Sequence, residues 1–146
     1  MNDDRKFTDT NLLIYSFDDI EPEKFRRANE WLASLWRDGT GRISFQVLHE
    51  FYSVVRRKFP ARGVEGARVV VRDLLDWQPS GPNVDTIESA WRLQDRYQLS
   101  WWDALIVAAA QAQGCRYLLS EDLQHDQSFD TVTAINPFLV QPTDFR

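Results

Sequence analysis

Ser100-Trp101-Trp102-Asp103-Ala104-Leu105-Ile106-Val107-Ala108-Ala109-Ala110, then Gly114, then Cys115-Arg116-Tyr117-Leu118-Leu119-Ser120-Glu121-Asp122, is the stretch on which the fold turns. Ser100 with an acid three residues on reads as a helix start. Gly114 is a natural stop. Residues 104–110 carry no charge, and a helix that is apolar all round is buried. A strand over 115–120 and a second over 131–135 follow. Asp103 shares a helix face with Val107 and Ala110. It can serve as a first-turn acid on the helix dipole. Glu is the commoner choice there, however, and a nearly buried Asp needs a strong partner, so a functional role is favoured.

Working outward, the same alternation continues upstream. A short strand over 5–8 is interrupted by charge. Pro22 suits the first turn of a helix to about Arg37, with Phe25, Ala28, Leu32, Leu35 and Trp36 at helical spacing. Asp38-Gly39-Thr40-Gly41 is a turn, 42–44 a second strand, and 45–58 a helix stopped before Pro60. Ala67, Val70, Val71, Leu74 and Leu75 mark another helix. Residues 77–83 form a loop with room for a brief strand, and Asp85 with Glu88 spells a further helix start. Short strands alternating with helices predict an α/β domain with a short, mainly parallel sheet flanked by helices, spanning residues 1–146. Ligands bind beyond the carboxyl ends of such strands.

Composition agrees with one packed core. Of 146 residues, 43% are hydrophobic, including six Trp, nine Phe and four Tyr. Cys115 is the lone cysteine, so no disulfide closes within the chain. The longest apolar run is seven residues, 104–110, far short of a membrane span. No apolar signal core follows Met1-Asn2-Asp3-Asp4-Arg5-Lys6. The expectation is a soluble, cytoplasmic protein with no membrane partner.

Net charge is −5, unlike most nucleic-acid binders. It is unevenly spread. Residues 56–72 hold Arg56, Arg57, Lys58, Arg62, Arg68 and Arg72 against Glu65 alone, a local charge of +5 on a body of −10. A solvated helix face explains this stripe, and so does a grip on phosphate.

Four acids stand at places where a site forms. Asp9 follows the first strand in Thr8-Asp9-Thr10-Asn11, where a helix cap is the plainer role. Glu50 lies at the boundary of an apolar helix face, among Val47, Phe51 and Val54. Asp122 ends the strand that starts after Gly114, in turn-like sequence, with Glu121 and Asp126 competing for any role. Several carboxylates held together repel unless a cation neutralises them, and oxygen-only ligands select Mg²⁺ or Mn²⁺. His49 and His125 make no zinc-like set with Cys115. No glycine-rich phosphate loop is present.

These four segments together resemble the acidic motifs of PIN domains. Asp9-Thr10-Asn11, Val47-Leu48-His49-Glu50-Phe51, Ser100-Trp101-Trp102-Asp103-Ala104-Leu105-Ile106 and Leu118-Leu119-Ser120-Glu121-Asp122-Leu123-Gln124-His125 occur in the family's order. The last two resemble VapC toxins of bacterial toxin–antitoxin pairs. The likeness runs over about residues 7–138. It implies strand order 3-2-1-4-5 and metal-dependent hydrolysis of RNA phosphodiesters. Asp9, Glu50, Asp103 and Asp122 would be the acidic site, Asp9 and Asp103 its core ligands, and Mg²⁺ or Mn²⁺ the cofactor. Ser120, Asn11 and Asp126 are further candidates, and Arg56, Arg57, Lys58 and Arg62 would hold RNA. It also implies a cognate antitoxin and a homodimer. Lys6 and Thr8 make the first strand more polar than in the family, and Asp126 stands where many relatives have glycine, so Asp122 and Asp126 both remain open as the fourth acid. A haloacid-dehalogenase-type phosphohydrolase needs a second Asp where Asn11 stands. A non-catalytic protein-binding module has no use for four acids.

Overall fold

A computed structural model of the chain describes residues 4–60 and 63–145. Its frame is a five-stranded sheet in the order β2-β1-β3-β5-β4, where β1 is Lys6–Thr8, β2 Gly41–Arg42, β3 Tyr117–Leu119, β4 Ser128–Phe129 and β5 Val132–Ile135. The first three pairings are parallel, and β4 closes back on β5 antiparallel. Six helices flank it: α1 Thr10–Phe17, α2 Pro22–Asp38, α3 Phe45–Lys58, α4 Gly63–Leu74, α5 Val84–Tyr97 and α6 Trp101–Ala112.

The reading of residues 100–122 holds. Residues 104–110 are all buried, as a helix without a polar face must be. Ser100 caps α6 by accepting from the Asp103 amide, and Gly114, at φ +68, turns the chain into β3. Helix α6 packs against β3, β5 and α5. Phe7, Trp31, Phe51 and Phe129 fill the core, and the Trp31 indole donates to the Pro137 carbonyl at 2.8 Å.

Two details differ from the expected order. The outer third strand survives as a single parallel bridge between Ser44 and Ser80. Pro79 and Pro82 lack the N–H that a longer ladder needs. With that bridge counted, the order 3-2-1-4-5 is present. The far edge gains β4, a hairpin closed by Asp130 at φ +57, which local sequence does not announce. Helix α5 also starts earlier than expected. Its cap is Asn83, whose Oδ1 accepts from the Thr86 amide at 2.9 Å, rather than an Asp85–Glu88 pair. Asn83 stands just before the apolar rhythm begins and satisfies the free amides better.

Register positions the site. Thr8 pairs with Leu119, and Leu119 with Ile135, so β1 and β3 end level. The Asp9 amide then donates to the Leu119 carbonyl at 3.1 Å, which sets Asp9 beside Ser120. Lys6 and Thr8, polar in sequence, are both buried. Among the described residues, no helix is long and apolar enough to cross a membrane.

Candidate active site

Asp9 caps α1 from the end of β1 and is 6% exposed. Its Oδ1 accepts from the Thr10 amide and its Oδ2 from the Ser120 hydroxyl, each at 2.7 Å. Burial nonetheless pushes its carboxyl up to about 6. The two hydrogen bonds oppose that rise, while Asp122 and Glu50 add to it by like-charge repulsion.

Asp103 lies half-buried in the first turn of α6. Burial raises its carboxyl too, with the Ser100 hydroxyl opposing and the same two acids, Asp122 and Glu50, adding to the rise. Two carboxylates on different elements thus feel one pair of neighbours. Glu50 reaches across from α3. Its Oε2 accepts from the Thr10 hydroxyl at 2.8 Å and its Oε1 from the Gln46 amide at 3.1 Å. Asp122 follows β3 and accepts from the Asn11 amide at 3.3 Å.

Ser120 joins the parts. Fully buried, it donates to Asp9, accepts from the Asp122 backbone amide at 3.1 Å and lies 3.5 Å from the Asn11 amide nitrogen. Asn11 Oδ1 is buried and lacks a hydrogen-bond partner among the described residues. Sequence reading missed Thr10 and Gln46 as donors to Glu50. Gln46 was findable, because it stands four residues before Glu50 on one helix face.

The neighbouring acids go elsewhere. Glu121 accepts from Lys24 at 2.9 Å, and that ammonium also sits 4.6 Å over the Tyr15 ring. Asp126 is exposed and 3.4 Å from His125. Its φ of +68 explains why glycine suits this position. His125 Nδ1 accepts from the Asn136 amide, so that histidine fixes a loop.

Among the described residues, no three acidic, histidine or cysteine side chains converge tightly enough to enclose an ion as they stand. The donor set still fits a hard cation. It is all oxygen, it holds mutually repelling carboxylates, and it includes the unpartnered Asn11 Oδ1.

The basic stripe divides in two. Arg68 hydrogen-bonds the Tyr52 hydroxyl at 3.1 Å and pairs with Glu65, and Arg56 lies near enough to that hydroxyl to help lower its pKa. Arg57 is exposed seven residues beyond Glu50, two turns along the same side of α3, and Lys58 is exposed in its last turn. Arg62 lies outside the described residues.

The shape has precedents. A chain of a toxin–antitoxin complex from Klebsiella pneumoniae superposes with a TM-score of 0.61 at 20% identity, over 90% of this chain and 97% of that one. The sarcin-ricin-loop-cleaving toxin VapC20 of Mycobacterium tuberculosis superposes with a TM-score of 0.62 at 20% identity, over 80% and 91%. No curated protein matches the chain. The PIN domain family model does, over residues 6–128, and leaves the dehalogenase alternative without support. That match takes in β1, β2, β3 and all four acids, so the chain belongs to the PIN domain family.

Proposed function

We propose that the chain is a metal-dependent endoribonuclease and the toxin of a toxin–antitoxin pair. The supporting observation is the shared field at the carboxyl ends of the strands. Burial raises both Asp9 and Asp103, and the same two acids, Asp122 and Glu50, add to each rise. Four carboxylates kept together against their repulsion are useful only to a cation.

Asp9 and Asp103 are the core ligands for Mg²⁺ or Mn²⁺, with Glu50 and Asp122 completing the set. A bound Mg²⁺ or Mn²⁺ supplies an activated water and offsets charge growing on the phosphate. Ser120 and the Thr10 amide fix Asp9, and Gln46 with Thr10 fixes Glu50, so each carboxylate is oriented by neutral donors. Arg57 and Lys58 extend from the Glu50 side of α3 to hold flanking phosphates. The structural neighbours' toxin–antitoxin context suggests a small antitoxin, whose Arg would fill the acidic cleft in place of metal. A homodimer accords with the VapC likeness.

The test is RNA cleavage by wild type and Asp103→Asn, with Mg²⁺, with Mn²⁺ and with chelator. Cleavage should need the metal and the Asp. Full cleavage in excess chelator refutes the mechanism. Growth arrest on expression, relieved by Asp103→Asn, tests the toxin role, and harmless expression of folded wild type refutes it.

A further inference from the structure

We propose that the Trp102 indole is the platform on which a nucleobase beside the scissile phosphodiester stacks, so the strand must be unpaired at that nucleotide. The inference rests on the ribonuclease reading above.

Trp102 is 63% exposed in the first turn of α6. Folding does not account for that placement. The adjoining Trp101 packs against the core, while no aromatic ring stacks on Trp102 among the described residues. The turn itself is firm, since Ser100 caps it through the Asp103 amide. A rigid, open indole is a low-entropy surface for a flat partner.

Its position is the second observation. Trp102 directly precedes Asp103. It also lies one turn before Leu105, which lines a cleft together with Gln46 and Ala109. Gln46 in turn holds Glu50. The indole thus shares a face of α6 with a residue that meets Gln46, the side chain that holds Glu50.

Electrostatics favours this use. The acids repel a phosphate backbone, and the nearest cations of the stripe, Arg57 and Lys58, begin two turns farther along α3. Binding at the acids themselves needs a contact indifferent to charge, and base stacking is one. A second protein copy sealed over Trp102 would instead cover Asp103, which substrate must reach. The apolar neighbours Leu105 and Ala109 are themselves 8% and 6% exposed, so no broad hydrophobic face surrounds the indole.

The experiment measures binding in an inactive Asp9→Asn background, to an unstructured RNA oligonucleotide and to a fully paired duplex of the same length. Adding Trp102→Ala should weaken single-strand binding roughly tenfold or more, Trp102→Phe only about twofold to threefold, and duplex binding should not change. In the active protein, Trp102→Ala should raise KM and leave kcat nearly intact, the pattern of lost uniform binding. Unchanged strand affinity and KM in Trp102→Ala overturn the platform while leaving the nuclease standing. A switch of oligomeric state in Trp102→Ala, read by light scattering, overturns it in favour of a protein contact. A parent that neither cleaves nor binds RNA overturns the nuclease reading and the platform together.

Discussion

The two ends of the sheet handle charge in opposite ways. At the amino end, Asp4 pairs with Arg116 at 3.1 Å, Arg37 with Asp38 at 3.3 Å, and the buried Lys6 donates to the Asp4 carbonyl at 3.0 Å. At the carboxyl end, Asp9, Glu50, Asp103 and Asp122 meet hydroxyls and amides, and no ion pair engages them among the described residues. The first arrangement is complete without help. The second leaves negative charge without a paired cation among the described residues, as the proposed metal-dependent reading requires.

Catalysis should break the symmetry most. Asp9→Asn and Asp103→Asn should each lower RNA turnover on the order of 10²–10⁴-fold, the scale of losing a reacting-site group. Asp4→Asn, at the other end, should leave turnover within about twofold. Equal losses at both ends, measured by single-turnover cleavage, would erase the distinction.

Stability should move in opposite directions. Burial pushes the folded Asp9 carboxyl up to about 6, above the ordinary 3.8. Charged Asp9 therefore costs stability, by up to about 3 kcal/mol once pH exceeds 6. Asp9→Asn keeps a good cap and removes that charge. Without metal at pH 7.5 it should gain roughly 1–3 kcal/mol in urea melts. The gain should fade as pH drops through 6 and vanish below about 3.8, where wild-type Asp9 is protonated in both states. Asp4→Asn loses an exposed pair worth at most about 1 kcal/mol. Destabilisation by Asp9→Asn at pH 7.5 would recast Asp9 as a structural cap.

Proton competition sharpens the same point. A cation displaces the proton from Asp9, so Mg²⁺ affinity should fall up to about tenfold per pH unit below 6 and level off above it. Titration calorimetry from pH 5 to 8 reads this, and a flat profile would remove Asp9 from the ligand set.

The smallest effect is expected at Glu121, one residue from Asp122. It already has a cation in Lys24, and both side chains are partly exposed, 22% and 33%. Glu121→Gln should cost at most about 1 kcal/mol and change turnover less than about threefold. A loss as large as that of Asp103→Asn would mean that the site's boundary is drawn wrongly.

Much of this was legible in sequence because it is local. The burial of residues 104–110 and the helix start at Ser100 both follow from spacing and turn chemistry. Asp9, Asp103 and Asp122 stood out at strand ends and a helix start, while Glu50, inside a helix, joined them through the family resemblance. What escaped depends on contacts across the chain. Thr10 meets Glu50 over 40 residues, and Lys24 meets Glu121 over 97. No periodicity encodes such partners. β4 was missed for a different reason, since a two-residue pairing carries too little pattern to detect.

The Ser44–Ser80 bridge has a consequence for how the chain behaves in company. An open sheet edge invites another molecule's strand, and a run of free N–H groups is the invitation. Here that edge is one bridge wide and flanked by Pro79 and Pro82, which have no N–H to offer. The opposite border is the two-residue β4, too short to template a partner. Both margins are blunted against strand-by-strand aggregation.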